Sequence, residues 1–131
     1  IKTLLRGAEK FLSPARPMII FPEGTRQPVG APPDYKPGVA AIYGRLGVTC
    51  VPVALNSGLY WDADGPMRRP GKIIVEFLEP IPPGLPRDEF MTELERRIEA
   101  ASLRLAVEGG FRAAANDTPL GSRREAAHNS P

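Results

Sequence analysis

The stretch "GVAAIYGRLGVTCVPVAL", Gly38 to Leu55, decides the predicted fold. Its first half predicts a helix that ends at Gly47, because glycine is favoured just after a helix C-terminus. Its second half, from Thr49 to Leu55, is rich in β-branched residues and predicts a buried strand. Upstream, "MIIF" at Met18 to Phe21 predicts another short buried strand between two prolines. Strand, helix and strand form a βαβ unit, in which the strands are parallel and the loops after both open at one edge of the sheet.

Further elements flank this unit on both sides. Residues 1–13 carry a helical apolar pattern that ends before Pro14, and residues 72–81 predict a third strand. Asp88 is a candidate N-cap for a last helix. The buried stripe of that helix is predicted to be Phe90, Leu94, Ile98, Ala101 and Leu105. The predicted fold class is α/β, a partial mixed sheet with flanking helices in one domain over residues 1–107, followed by a disordered tail over residues 108–131.

Composition and charge narrow the function classes. The 131 residues carry 17 basic and 15 acidic side chains, and a net charge of +2 argues against a nucleic-acid partner. Cys50 is the only cysteine, which fits a reducing compartment, and its mid-strand position favours a structural role over a nucleophilic one. No apolar stretch is long enough to span a bilayer. Asp62 and Asp64 lack partner ligands at suitable spacing, so no metal is assigned.

The stretch "IIFPEGTRQPVG", Ile19 to Gly30, is the candidate site, because it leads from a predicted strand into a polar turn. Gly24 allows close approach of the backbone to a ligand, Thr25 offers a hydroxyl, and Arg26 can take two oxygens of a phosphate with its planar guanidinium. The alternative is that Glu23 and Arg26 pair with each other only to pin the turn.

Lys36 strengthens the anion-binding interpretation. It precedes the predicted crossover helix, whose N-terminus attracts anions, so a phosphate held by Arg26 could also contact Lys36. The alternative is an ordinary solvated lysine.

These residues carry a resemblance to a known family. "FPEGTR" after an apolar strand, then "YKPGVAAIYGRLG" and "VPVAL", resembles the third and fourth motif blocks of the glycerolipid acyltransferases, which include bacterial 1-acylglycerol-3-phosphate acyltransferases. The resemblance covers about residues 1–105 and implies the C-terminal part of that fold. It implies binding of the acceptor phosphate by Glu23, Gly24, Thr25 and Arg26, and a contribution of Pro52 to the acyl or acceptor site.

The resemblance also implies an activity. In this family a fatty acyl group passes from a thioester of coenzyme A or acyl carrier protein to the free hydroxyl of a lysophospholipid, with no metal or prosthetic group. The family's catalytic His-x-x-x-x-Asp motif is missing here, since the only histidine, His128, is not followed by an aspartate at that spacing. We therefore expect the histidine and aspartate upstream of Ile1, and we expect this chain alone to bind without turnover.

Two alternatives to this activity stay open. The acceptor could be another lysolipid, such as a lyso-ornithine lipid without phosphate, or the chain could be a non-catalytic anion-binding module. For Glu23 the resemblance leaves two roles: it can hold the Arg26 guanidinium in place, or it can accept a hydrogen bond from the glycerol portion of the acceptor.

A second group of residues is a candidate interfacial patch. It comprises Leu59, Tyr60, Trp61, Met67, Arg68, Arg69 and Lys72, which could contact a membrane surface through aromatic rings between headgroups and cations on anionic lipid. The competing interpretation is that Trp61 packs against its own domain. With the resemblance, the patch implies a location at the cytoplasmic face of the inner membrane.

Overall fold

Three helices and a two-stranded antiparallel sheet make up the regular structure of the described residues. The structure is a computed structural model and describes residues 1–12 and 16–112. The helices are α1 (Lys2–Phe11), α2 (Gly38–Leu46) and α3 (Arg87–Glu108), and the strands are β1 (Val53–Leu55) and β2 (Val75–Phe77). A single 3-10 turn, Ser57–Leu59, follows β1. Within this part of the chain, no helix combines the length and the apolar composition that crossing a bilayer requires.

Helix α2 ends as the sequence predicts. Gly47 lies just after it with a φ of 58°, and its N–H donates to the Tyr43 carbonyl at 3.1 Å. A residue with a Cβ would be strained in this left-handed conformation. The helix presents Val39, Ala40 and Tyr43 to the main core, so the cap fixes where the chain leaves that core.

Helix α3 closes the core from the other side. Phe90, Leu94, Ala101 and Leu105 of the predicted stripe are buried, and Ile98 is half-buried, which confirms the periodicity. The Phe90 ring stacks on the Tyr43 ring with centroids 3.8 Å apart. The Tyr43 hydroxyl donates to the Pro82 carbonyl at 2.6 Å and accepts from the Leu85 N–H at 2.9 Å, so its buried oxygen is satisfied.

The start of α3 differs from the prediction. Pro86 takes the N-cap position, no side chain caps the helix, and Asp88 lies within the first turn. Proline is tolerated there because it precedes the first helical residue, and its ψ of 149° is not helical. Asp88 in the first turn still complements the positive end of the helix dipole.

The sheet pairs β1 with β2 in antiparallel register, with Val53 opposite Phe77 and Leu55 opposite Val75. Pairing continues toward Cys50, whose N–H and carbonyl bond to Ile81 at 2.9 and 2.7 Å. Both strands are shorter than predicted. Pro52 lies between these two sections of the ladder; it cannot donate to it, although its carbonyl accepts from the Leu78 N–H at 2.9 Å.

The two faces of this sheet differ in burial. One face packs on α3, where Ala54 contacts Ala101 and Leu105. The opposite face leaves large apolar side chains exposed, including Phe77 at 74% and Val75 at 54%. The sheet is therefore covered on one side only within the described residues.

The predicted strand at Met18–Phe21 is wrong for the described residues, and with it the parallel βαβ pairing. This segment has no strand assignment, and Ile19 and Phe21 are 82% and 74% exposed. Only Ile20 packs on the main core. The segment has alternating burial but no neighbouring strand, and the prolines on either side cannot donate ladder hydrogen bonds, which explains why it lies outside the sheet. The larger mixed sheet stays a prediction.

The predicted tail begins inside a helix, because Glu108 is the last residue of α3. Phe111 follows in a turn closed by its N–H to the Ala106 carbonyl at 2.9 Å, and its ring packs directly over Gly30. The rest of the predicted tail, residues 113–131 with His128, lies outside the described residues.

Candidate functional site

A cleft of about 990 Å³ lies beside the polar turn that the sequence singles out. The four motif residues Glu23, Gly24, Thr25 and Arg26 all line it. The opposite walls come from the segment after β1 and from the exposed side of α3. This volume is at the upper end of the range for small-molecule sites in proteins.

The polar turn is built on Gly24. Its φ is 70° and its N–H donates to the Phe21 carbonyl at 3.0 Å, which closes a turn directly after the apolar segment Met18–Phe21. A Cβ at this position would meet open space, so glycine is required by the backbone conformation rather than by a close neighbour. The next two backbone N–H groups, those of Thr25 and Arg26, make no hydrogen bond to any described residue and can face a ligand.

Glu23 has a role that the sequence did not predict. Its Oε1 accepts the backbone N–H of Asp34 at 3.0 Å and so ties the turn to the far end of the proline-rich loop. The Lys36 N–H, bonded to the Pro22 carbonyl at 2.7 Å, adds a second tie. No ion pair joins Glu23 to Arg26 in the described part of the chain. The suggested mutual pinning of these two side chains is therefore not seen.

Arg26 is held by the segment that follows β1. Its guanidinium carbon lies 5.0 Å from the centre of the Trp61 ring, within the range of a cation–π interaction. Its Nη1 donates to the Asp62 carbonyl at 3.2 Å. These two contacts do not use all of the guanidinium N–H donors. Arg26 also makes no ion pair with a described carboxylate. The planar guanidinium of Arg26 therefore has free N–H donors at the cleft that can bind an anion.

Lys36 and Pro52 do not line the cleft. The Lys36 ammonium pairs with the Asp34 carboxylate at the exposed end of the loop. Pro52 is one of the most deeply buried side chains in the core. The structure brings Glu23, Gly24, Thr25 and Arg26 together and leaves these two predicted site residues outside.

Asn56 is a cleft residue that the sequence prediction missed. It is only 4% exposed, its Oδ1 accepts the Ile74 N–H at 2.8 Å, and its Nδ2 donates to the Lys72 carbonyl at 3.3 Å. It thereby fastens the chain before β2 to the end of β1. The sequence did contain a signal for Asn56, namely a polar residue directly after a predicted buried strand. Such a side chain must find hydrogen-bond partners if it is buried.

Glu99 on α3 is the second cleft residue that was missed. It accepts the Tyr35 hydroxyl at 2.8 Å, and burial together with this carboxylate raises the pKa of Tyr35 well above its ordinary range. Tyr35 therefore stays neutral and is no acid or base near neutral pH.

The apolar part of the cleft is extensive. Phe21, Leu55, Ile73 and Leu103 line it and are 40% to 74% exposed. Large apolar side chains exposed along a concave surface indicate a ligand with an apolar portion. The arrangement is suited to a molecule with an anionic end and a hydrocarbon end.

Three further predictions concern reactive groups. Cys50 is half-buried against the main core, and burial raises the pKa of its thiol, which disfavours the nucleophilic thiolate. Asp62 forms a two-bond ion pair with Arg69 at 2.8 and 3.0 Å, and residues 1–12 and 16–112 contain no cluster of three or more possible metal ligands. These residues also contain no histidine.

Comparisons with known proteins give one similarity. The chain is 36% identical over 75 residues to a protein named 1-acyl-sn-glycerol-3-phosphate acyltransferase from Pseudomonas aeruginosa. The matched region covers 57% of this chain and 29% of that relative, so the chain spans less than a third of the relative's length. No family model and no solved structure matches. This partial similarity supports a general acyltransferase role and agrees with the family that the sequence motifs suggest.

Proposed function

We propose that this chain carries the acceptor-binding part of an acyltransferase that esterifies the free hydroxyl of 1-acylglycerol 3-phosphate to make phosphatidate. The observation that carries the proposal is the cleft itself, in which the Arg26 guanidinium and the Glu23–Arg26 turn adjoin an extended apolar wall. A lysophospholipid has the matching chemistry, an anionic phosphate and a fatty acyl chain in one molecule.

The phosphate end is assigned to Arg26, Thr25 and the adjacent backbone N–H groups. A guanidinium can donate two parallel hydrogen bonds to a phosphate, and Trp61 and the Asp62 carbonyl hold this one at the cleft. Glu23 accepts from the Asp34 N–H and is assigned a positioning role. Its direct contact with the glycerol portion is not needed for phosphate binding.

The hydrocarbon end is assigned to the apolar wall. Each methylene removed from water contributes about 0.8 kcal/mol, so a chain lying along Leu55, Ile73 and Leu103 can supply much of the binding free energy. The charged end then fixes which way the acceptor enters, and with it the position of the free hydroxyl.

The reaction needs a base that the described residues do not supply. The acceptor oxygen attacks the thioester carbonyl, the C–O ester bond forms, the C–S bond breaks, and the hydroxyl proton must pass to a base. Glu23 and Glu99 already accept hydrogen bonds from within the protein. We propose that a histidine outside residues 1–112 is the base, and that neither a metal nor a prosthetic group is required.

The same proposal includes a membrane surface at the cytoplasmic face of the inner membrane. The acceptor is a lipid, and its thioester donor is a cytoplasmic metabolite or carrier protein. Met67 is 63% exposed in the segment between the strands, which suits insertion of an apolar side chain between headgroups. Cosedimentation of the intact protein with vesicles containing anionic lipid, but not with neutral vesicles, is the expected result.

Acceptor selectivity tests the proposed function. The intact protein encoded by the gene is assayed with an acyl thioester and either 1-acylglycerol 3-phosphate or a lyso-ornithine lipid. We expect turnover of the phosphate acceptor at a kcat/KM at least tenfold higher. A preference for the lyso-ornithine lipid would show that the acceptor is that lipid and not 1-acylglycerol 3-phosphate. Binding of glycerol 3-phosphate without turnover of either lipid would show that the protein is a non-catalytic anion-binding module.

A further inference from the structure

We propose that Arg68 is a second phosphate-binding cation of the acceptor site and that Trp61 is a positioning residue for both Arg68 and Arg26. This inference rests on the proposed function and names residues beyond the Glu23–Arg26 turn. It changes the interpretation of Trp61 and Arg68, which the sequence assigns only to a candidate membrane patch.

One indole ring brings the two cations together: Arg26 and Trp61 line the cleft, and Arg68, which is not among the lining residues, contacts the same ring. The guanidinium carbon of Arg68 lies 4.2 Å from the centre of the Trp61 ring, and that of Arg26 lies 5.0 Å from the same point. The two carbons are therefore at most about 9.2 Å apart. A phosphate has oxygens on several sides, so two guanidinium groups within this limit can bind it together when both reach it from one face or edge of the indole.

The segment after β1 folds so that this arrangement follows from its backbone. Trp61 and Arg68 form an antiparallel bridge, and the neighbouring Arg69 N–H donates to the Tyr60 carbonyl at 2.7 Å. Residues opposite each other in such a bridge present their side chains to the same side, which explains the contact of Arg68 with the ring. The two-bond ion pair between Arg69 and Asp62 braces this turn.

Neither Arg26 nor Arg68 forms an ion pair with a described carboxylate, which is also true of four other described arginines. What sets Arg26 and Arg68 apart is that both guanidinium groups lie against the same ring. Two like charges held beside one ring repel each other. A phosphate monoester carries about −1.5 to −2 charges at pH 7 and would relieve that repulsion.

Trp61 has a purpose beyond apolar contact. The residue is 41% exposed and is not part of the buried core, and tryptophan attracts cations more strongly than the other aromatic residues do. By fixing both guanidinium groups before the ligand arrives, it lowers the entropy that binding would otherwise cost.

Steady-state kinetics of the intact protein with 1-acylglycerol 3-phosphate test the role of Arg68. Arg68→Ala is expected to raise KM about tenfold with kcat changed less than about twofold, and Arg68→Lys to recover part of the loss. The matched control is Arg87→Ala, which removes the same charge from an exposed arginine of α3 that does not contact Trp61. Titration calorimetry with glycerol 3-phosphate measures the same effect as Kd, independently of turnover.

Substitution of Trp61 tests positioning. Trp61→Phe keeps a cation-binding ring and is expected to raise KM less than threefold, whereas Trp61→Leu keeps apolar bulk without the ring and should raise it about tenfold. Equal KM values for these two variants would contradict the positioning role, because a packing role is served by both.

The outcomes separate this inference from the proposed function. If Arg26→Ala raises KM and Kd while Arg68→Ala matches the Arg87→Ala control, the second cation is refuted and the proposed acceptor site stands. If the intact protein turns over no acceptor, the proposed function fails. The Kd for glycerol 3-phosphate still decides the role of Arg68, since an unchanged Kd in Arg68→Ala overturns it.

Discussion

The core between α2 and α3 and the cleft beside the Glu23–Arg26 turn are held together by different kinds of contact. In the core, Phe90 stacks on Tyr43 and both side chains are buried. In the cleft, single hydrogen bonds join loops that are far apart in sequence, such as Glu23 with Asp34 across 11 residues and Arg26 with Asp62 across 36. Substitutions in the core should therefore change stability, and substitutions in the cleft should change binding.

The largest expected effect is the loss of the core aromatic stack. Phe90→Ala removes a fully buried ring and should lower the free energy of unfolding by about 3–5 kcal/mol. Phe77→Ala is the matched control, because Phe77 is 74% exposed and its loss should cost less than about 0.5 kcal/mol. Urea denaturation of the intact protein measures both. Similar losses in the two variants would mean that the exposed sheet face is covered in the intact protein.

Asn56 is the point where the cleft and the core overlap. Asn56→Ala leaves the Ile74 N–H and the Lys72 carbonyl without this partner and should lower the free energy of unfolding by about 1–3 kcal/mol. Ser57→Ala, one residue further, is half-buried and serves as the control with an expected loss below about 0.5 kcal/mol. If Asn56→Ala is as stable as the control, water replaces both hydrogen bonds.

The contrast also explains what the sequence could predict. Helix α2 with its Gly47 terminus and the stripe of α3 depend on local periodicity and on one special backbone conformation, and both were predicted. The strand at Met18–Phe21 was not borne out, because an apolar run between prolines has the composition of a strand whether or not a neighbour pairs with it.

The candidate site shows the same physical limit. The Glu23–Arg26 turn is one contiguous stretch, so its four residues line one cleft, and their binding of a ligand stays a prediction. The contact of Arg26 with Trp61 depends on how two distant loops pack, and neither loop has a periodic pattern to indicate it. Asn56 and Glu99 were missed because their partners, too, are distant in sequence.

A smaller effect is expected at Glu23, where two substitutions separate charge from hydrogen bonding. Glu23→Ala removes the acceptor for the Asp34 N–H and should lower the free energy of unfolding by about 1 kcal/mol and raise the acceptor KM a few-fold. Glu23→Gln keeps an acceptor oxygen and should resemble the wild type in both measurements. If Glu23→Gln is as impaired as Glu23→Ala, the negative charge of Glu23 is itself required.

The smallest expected effect is a change in the free energy of unfolding through Glu93 of α3, and it appears only at acidic pH. Hydrogen bonds from Arg96 and Arg97 lower the pKa of Glu93 to about 2, against an ordinary value of 4.5. Its contribution is therefore complete above about pH 4.5 and is lost as the pH falls toward 2. The stability difference between wild type and Glu93→Gln should shrink over this window. A constant difference from pH 6 to pH 2 would contradict the assignment.

The central claim is that Arg26 binds the phosphate of the lipid acceptor. The most direct measurement compares wild type with Arg26→Ala in the intact protein, using steady-state kinetics with 1-acylglycerol 3-phosphate and Arg87→Ala as the charge-matched control. We predict a ten- to hundredfold increase in the acceptor KM, about 1.5–3 kcal/mol for a charge-assisted hydrogen bond, with kcat and thermal stability nearly unchanged. An acceptor KM equal to that of the control would contradict the claim.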